Sequence, residues 1–238
     1  MPREDFGPES LARYLHSTPQ RVSRLADRGK IPGRKVAGQW RFSREEIHHW
    51  LERRIGLAED DGLPEVEGVL SQAGEGAAEQ TISIAGLLAV ESIGIPLAAR
   101  TRNSVFTSMV ELAAKTGFVW DPEAMVAAIR AREEMYPTTL DNGVALLHPR
   151  RPMPNILAQP VLALGVSRGG IPFGGTRGGL TDVLLLICST DDRGHLRTLA
   201  RLSRVLNVPG FLDTLRSADD ASAAHDLIRD TEAGLDDA

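Results

Sequence analysis

Asp141-Asn142-Gly143-Val144-Ala145-Leu146-Leu147-His148-Pro149-Arg150-Arg151-Pro152 is the stretch that decides the fold. Asp-Asn-Gly is a turn signal, and the apolar run after it is long enough for a short buried strand. Pro149 has no N–H to offer a ladder, so the strand stops at His148. An imidazole is thereby set at the mouth of a strand, with two arginines just beyond it. Alone, such a histidine reads as a strand end. The sequence on either side gives it a chemical setting.

Upstream, Asn103 is placed to cap a helix through Lys115 that buries Val105, Phe106, Met109, Val110, Leu112 and Ala113, with Gly117 ending it. Asp121-Pro122-Glu123 starts a second helix, running to about Glu134 with Met125, Val126 and Ile129 inside. Downstream, residues 161–166 and 183–188 read as strands. The second is apolar throughout, which marks a central strand covered on both faces. The glycine-rich residues 169–175 between them lack the lysine and following helix of a phosphate-cradling loop, and read as a turn. A helix beginning at His195 carries the stripe Leu196, Leu199, Leu202, Val205 and Leu206. Short helices over 211–216 and 220–230 close the pattern. Helices alternating with apolar strands make this an α/β unit. The single cysteine, Cys188, excludes an intrachain disulfide or a multi-cysteine zinc site and reads as a small buried hydrophobe.

The charge is unevenly divided. Residues 1–55 hold 12 Lys and Arg against 7 Asp and Glu, whereas the chain as a whole is at −5. A basic head on an acidic body points to two modules, one of which prefers a polyanion. In the head, Leu11, Tyr14 and Leu15 fall at helical spacing. Thr18-Pro19 then starts a second helix to Arg28 that buries Val22, Leu25 and Ala26. Residues 34–42 form a hairpin turning near Ala37-Gly38, with Val36, Trp40 and Phe42 as its packed face. Ser43-Arg44-Glu45-Glu46 is a capping box for a third helix, 45–53, burying Ile47, Trp50 and Leu51. His48 and His49 on it point about 100° apart, which disfavours a shared metal. Residues 56–80 are acidic and glycine-bearing, the composition of a flexible linker.

Leu11-Ala12-x-Tyr14-Leu15, Val22-x-x-Leu25, Gly29-x-Ile31-Pro32, Trp40-Arg41-Phe42 and Ile47-x-x-Trp50-Leu51 together resemble the excisionase-like or MerR-like winged helix-turn-helix family over residues 7–54. The resemblance implies a small, mainly α domain over 1–55 that binds double-stranded DNA. It implies that Gln20, Arg21 and Arg24 enter the major groove on the second helix, and that Arg34, Lys35 and Arg41 meet the backbone from the wing. A single such module reads few base pairs, so a homodimer on a repeated site is expected.

Residues 81–238 resemble the enzyme IIA domain of the fructose/mannitol or nitrogen-regulatory type from the bacterial phosphoenolpyruvate:sugar phosphotransferase system. The resemblance is carried by Arg132-Glu133-Glu134, Thr138-Thr139, Gly143 to His148, Gly170-Ile171-Pro172-Phe173 and His195-Leu196-x-x-Leu199-Ala200. It implies a mixed sheet with helices on both faces. It implies His148 as the acceptor of a phosphoryl group from an HPr-like carrier, with His195 and Arg132 supplying donors to the anion and no metal or other cofactor required. The family has proline before the acceptor histidine; this chain has Leu147. The expected protein is a regulator that couples phosphorylation to transcription. The alternatives are a phosphocarrier relaying the group toward a sugar permease, and a IIA-like scaffold without phosphochemistry. No apolar run reaches the ~18 residues of a membrane span, and Met1-Pro2-Arg3-Glu4-Asp5 lacks a signal-peptide pattern. A cytoplasmic protein without membrane insertion is expected. His16 and His225 match neither pattern and read as surface or cap residues.

Overall fold

The computed structural model describes residues 5–15, 17–44, 46–47, 50–51, 82–135, 137–173 and 179–236. The chain divides into two units, Met1–Thr81 and Ile82–Ala238. The expected linker (56–80), His16, His48, His49 and parts of the third helix lie outside the described residues.

In the first unit, α1 (Pro8–Tyr14) and α2 (Pro19–Asp27) pack together. The Thr18 hydroxyl accepts the Arg21 N–H at 3.3 Å, as an N-cap should, and Pro19 sits where a helix needs no donor. Val22 and Ala26 are buried, while Leu25 is half-buried. β2 (Arg34–Val36) and β3 (Gln39–Ser43) form the hairpin, and β1 (Asp5–Phe6) pairs with the far edge of β3. That first strand is too short to show in the sequence. Ala37 and Gly38 both take positive φ, 49° and 79°, the conformation a two-residue turn between twisted strands requires.

The hairpin corrects one expectation. Its register sets Val36 opposite Gln39 and Lys35 opposite Trp40. Residues facing each other across an antiparallel pair share a side, so Trp40 and Phe42 lie with Lys35 and Phe6, not with Val36. Phe42 is buried, Trp40 is half-buried and Val36 is 50% exposed. After β3 the chain is helical again at Arg44, and Ile47 and Leu51 are buried. Trp50 is half-buried, its indole N–H donating to the Lys30 carbonyl at 2.8 Å.

The second unit contains α3 (Ile84–Leu87), a 3-10 turn (Val90–Ser92), β4 (Ile93–Gly94), α4 (Arg102–Ala114), α5 (Pro122–Met135), β5 (Val144–Leu147), β6 (Val161–Pro172), β7 (Leu180–Cys188), α6 (Asp192–Leu206), α7 (Phe211–Arg216) and α8 (Ala221–Asp236). The sheet order is β4-β6-β7-β5, with β6 and β7 antiparallel and both outer pairs parallel. α4 buries the six residues expected of it, but its cap is Thr101, which forms a capping box with Ser104, and not Asn103. The Asp121 carboxylate accepts the Ala124 N–H at 2.9 Å at the start of α5. β6 continues past a bulge between Val166 and Ile171, so residues 169–172 extend the strand rather than turn. Residues 174–178 lie outside the described set.

Alternation explains how the sheet is covered. Ala145, Leu147, Ala163, Leu184, Leu186 and Cys188 join α4 and α5 in one buried cluster. Val144, Leu146, Val183, Leu185 and Ile187, on the opposite side by period two, are equally buried. α6 packs against β7, and α7 against β6. Each such large apolar side chain contributes about 1.5–3 kcal/mol by leaving water. Cys188 is part of this packing, and burial pushes its thiol pKa up to about 12.

The unit is closed by α8. The Glu232 carboxylate accepts the Ile84 and Ala85 amides at 2.8 Å each and the Ser83 hydroxyl at 3.0 Å. Arg201 of α6 donates to it at 3.0 Å, forming a buried ion pair. The His225 Nε2 lies 3.2 Å from the Ala85 carbonyl. Among the described residues no helix is long and apolar enough to cross a membrane.

Candidate functional site

β5 and β7 run parallel, with Leu147 paired to Leu186, so both strands end on the same edge of the sheet. In sheets with parallel strands, reactive groups collect beyond those carboxyl ends. Here Pro149 ends β5 one residue after His148. Past Cys188, Ser189 leads into α6, whose first turn contains His195. His148 continues the side of β5 that carries Val144 and Leu146, the side on which α6 packs. The two histidines therefore meet. Their ring centroids are 5.0 Å apart with planes inclined at 52°, and they are 2% and 5% exposed.

The Nδ1 of His148 lies 2.8 Å from the Leu146 carbonyl oxygen. A carbonyl only accepts, so this contact assigns the proton to Nδ1 and the lone pair to Nε2. The Nδ1 of His195 lies 3.2 Å from the Ser189 hydroxyl, which can serve as either partner. His195 is also near the amide-rich start of α6, where Asp191 caps the helix by accepting the Gly194 N–H at 2.8 Å. Arg150, Arg151 and Arg193 are exposed near the histidines in sequence, and Arg197 is half-buried one turn further along α6.

The structure brings the two predicted histidines together. Arg132 stands on a different element, the last turn of α5, where it is 6% exposed. Ser189 was missed. Its signal was positional: it is the first residue beyond a central strand parallel to the one that presents His148. Among the described residues no group of three or more His, Cys, Asp or Glu is placed to hold a metal ion.

On the first unit, Gln20, Arg21 and Arg24 are all exposed along α2. The wing cations do not share one face. Arg34 pairs across the hairpin with Arg41, on the side opposite Lys35. Arg34 donates to Asp5 at 2.7 Å. Lys35 lies 3.4 Å from Asp27 at the end of α2 and over the Trp40 ring. Arg41 is half-buried.

Residues 86–231 match the family model of the phosphoenolpyruvate-dependent sugar phosphotransferase system, EIIA 2, and residues 6–55 match that of a helix-turn-helix domain. The PTS system fructose-specific EIIABC component of Bacillus subtilis (strain 168) is 26% identical over 149 residues. The match covers 62% of this chain and 23% of that protein, so the chain spans under a quarter of that relative's length. The nitrogen regulatory protein IIA-Ntr of Neisseria meningitidis is similar in structure at TM-score 0.54 and 17% identity, covering 61% of this chain and 98% of that one. IIA mannitol of Escherichia coli is similar at TM-score 0.53 and 20% identity, covering 59% and 97% respectively. At these identities the two structures establish the fold of the second unit.

Proposed function

Because the chain belongs to the EIIA 2 family of the phosphoenolpyruvate-dependent sugar phosphotransferase system and carries a helix-turn-helix domain ahead of it, we propose that it is a DNA-binding regulator whose output is set by a phosphoryl group on His148. The donor is an HPr-like phosphocarrier. The Nε2 lone pair of His148 attacks phosphorus, the donor's P–N bond breaks, and its electron pair returns to the donor imidazole. The Nδ1–H of His148 stays on the Leu146 carbonyl and carries part of the positive charge that forms on the ring. With Ser189 donating to its Nδ1, His195 presents Nε2–H to a phosphoryl oxygen, and Arg132 adds a fixed cation.

One observation carries this reading: two buried imidazoles 5.0 Å apart, the first fixed by a 2.8 Å bond to the backbone. Positioning of that kind is the main contribution a protein makes to phosphoryl transfer. The group adds close to two negative charges to a domain that is already acidic. On the DNA side, Arg21 and Arg24 with Gln20 supply the major-groove contacts, and a homodimer on a repeated site supplies length of readout.

Incubating the full chain with labelled phosphoenolpyruvate, its kinase and HPr should label the wild type and leave His148→Ala unlabelled. An unlabelled wild type rejects the phosphoacceptor reading. A second reading, a phosphocarrier feeding a sugar permease, is favoured by the likeness to a fructose-specific EIIABC component. It requires label to pass from this chain to an isolated permease IIB domain, which the regulator reading does not.

A further inference from the structure

We infer that Glu133 and Thr138 are positioning residues that set the tautomer, and so the reactive nitrogen, of His148. The inference rests on the phosphoacceptor reading for its consequence, though not for its test. The Leu146 carbonyl that fixes the His148 proton is itself held in place by its neighbours.

Leu146 donates its N–H to the Thr138 carbonyl at 3.1 Å. Within a strand the N–H and C=O of one residue point toward the same edge. The Leu146 carbonyl is therefore directed to the edge of β5 away from β7, where among the described residues no other strand of the sheet lies. That edge is closed by the segment just before the turn. Leu140 donates to the Val144 carbonyl at 2.7 Å, and Thr139 bridges to Ala145. Short and irregular, this segment has its own anchor. Glu133, whose side chain is fully buried at the end of α5, accepts both the Thr138 N–H, at 3.0 Å, and the Thr138 hydroxyl on one carboxylate oxygen. Arg102 of α4 holds the same residue from the other side. Its guanidinium donates to the Glu133 carbonyl at 3.0 Å and lies 3.5 Å from the second carboxylate oxygen.

The links form a continuous path: the Glu133 carboxylate to Thr138, Thr138 to Leu146, and the Leu146 carbonyl to the His148 Nδ1. One oxygen of this buried carboxylate accepts both Thr138 bonds and the other lies beside the Arg102 cation, so moving it breaks those contacts together. Loosening Thr138 releases the Leu146 N–H, and the end of β5 that carries the Leu146 carbonyl shifts away from the His148 ring. The Nδ1–H then loses its acceptor, and the imidazole divides between its two tautomers. Only the tautomer with the lone pair on Nε2 is set for attack.

The test is the imidazole nitrogen spectrum of the full chain, with His148 assigned through His148→Gln. In wild type His148 should show the Nδ1–H form. In Thr138→Val and Glu133→Gln it should shift toward a mixture, with His195 and His225 little changed. Thr138→Ser, which keeps the hydroxyl, should restore the wild-type pattern. Phosphoryl uptake should slow roughly 10- to 100-fold in Thr138→Val and recover in Thr138→Ser. An unchanged His148 tautomer in folded Thr138→Val overturns the inference, and so does a serine variant indistinguishable from valine. Should Glu133→Gln fail to fold, the threonine pair decides. No phosphoryl donor is present in the spectrum. A chain that takes up no label while its tautomer still follows Thr138 rejects the phosphoacceptor reading alone.

Discussion

Leu147 stands where the family resemblance places proline, and its surroundings explain why a leucine is accommodated. Alternation turns it away from the histidine pair and into the cluster of Ala145, Leu184, Leu186 and the α4 residues, where it is fully buried. It also pairs with Leu186 along β7, a partnership in which an N–H is usable and proline has none. Packing and chemistry thus separate on adjacent residues. Leu147→Ala should lower unfolding free energy by about 2–5 kcal/mol through lost contact and residual cavity. Below its new midpoint, phosphoryl uptake at His148 should stay close to wild type. Urea unfolding with an unchanged slope, beside the labelling assay, checks both halves. Uptake that collapsed in the folded variant would show that position 147 governs the site after all. Gly143, at the other end of β5, is constrained in the opposite way. Its φ is +84°, and a Cβ there would approach Asp182 at 3.0 Å and Arg216 at 3.1 Å. The turn was legible in Asp-Asn-Gly. The arginine that locks it, reaching Asp182 and the Asn142 carbonyl from α7, was not, because that contact spans 74 residues.

At the scale of elements, β7 offers a prediction with a definite sign. Its Cys188 thiol is pushed up to about 12 by burial, against about 8.5 in an unfolded chain. Between those values the native chain keeps a proton that the unfolded chain loses. Stability must then fall as pH rises through that window, at up to about 1.4 kcal/mol per pH unit from this group. Denaturation midpoints measured from pH 8 upward should decline more steeply in wild type than in Cys188→Ala; equal slopes would mean the thiol is not held in this way. The burial behind it was readable in residues 183–188, as were α4, α5 and the stripe of α6, because each announces itself by period and cap. What the sequence concealed depends on pairing. Val36 fell on the wrong side because a two-residue turn opposes 36 to 39, so residues of equal parity across the hairpin lie on opposite faces. β1 and the extension of β6 past its bulge are likewise set by the strands they pair with, and Ser189 meets His195 only through the turn that leads into α6. Thr101 displaced Asn103 as the α4 cap through reciprocal bonds with Ser104, a choice between neighbours that composition does not rank.

For the whole molecule, the charge division suits the proposed switch. Residues 1–55 carry the basic excess, and α2 displays Gln20, Arg21 and Arg24, whereas the hairpin turns Arg34 and Arg41 to one side and Lys35 to the other. On the proposed reading, a DNA-binding surface built this way relies on α2 for base contacts. Arg24→Ala should therefore weaken binding by about 1–3 kcal/mol if it reads a base, with loss of discrimination at that base pair. A wing cation such as Lys35, if it meets a phosphate, should weaken all sites alike and reduce the salt slope by about one. On the same reading, the phosphoryl group arrives on the acidic unit and adds charge of the sign that DNA repels. Gel shifts at several salt concentrations should find wild type and His148→Ala equal without a donor. Phosphorylated wild type should differ from both, and His148→Asp should move in the same direction. Equal binding by all four forms would sink the switch while leaving both domains and the labelling result intact. A difference that vanishes in His148→Ala treated with the donor would tie the transcriptional output to one imidazole.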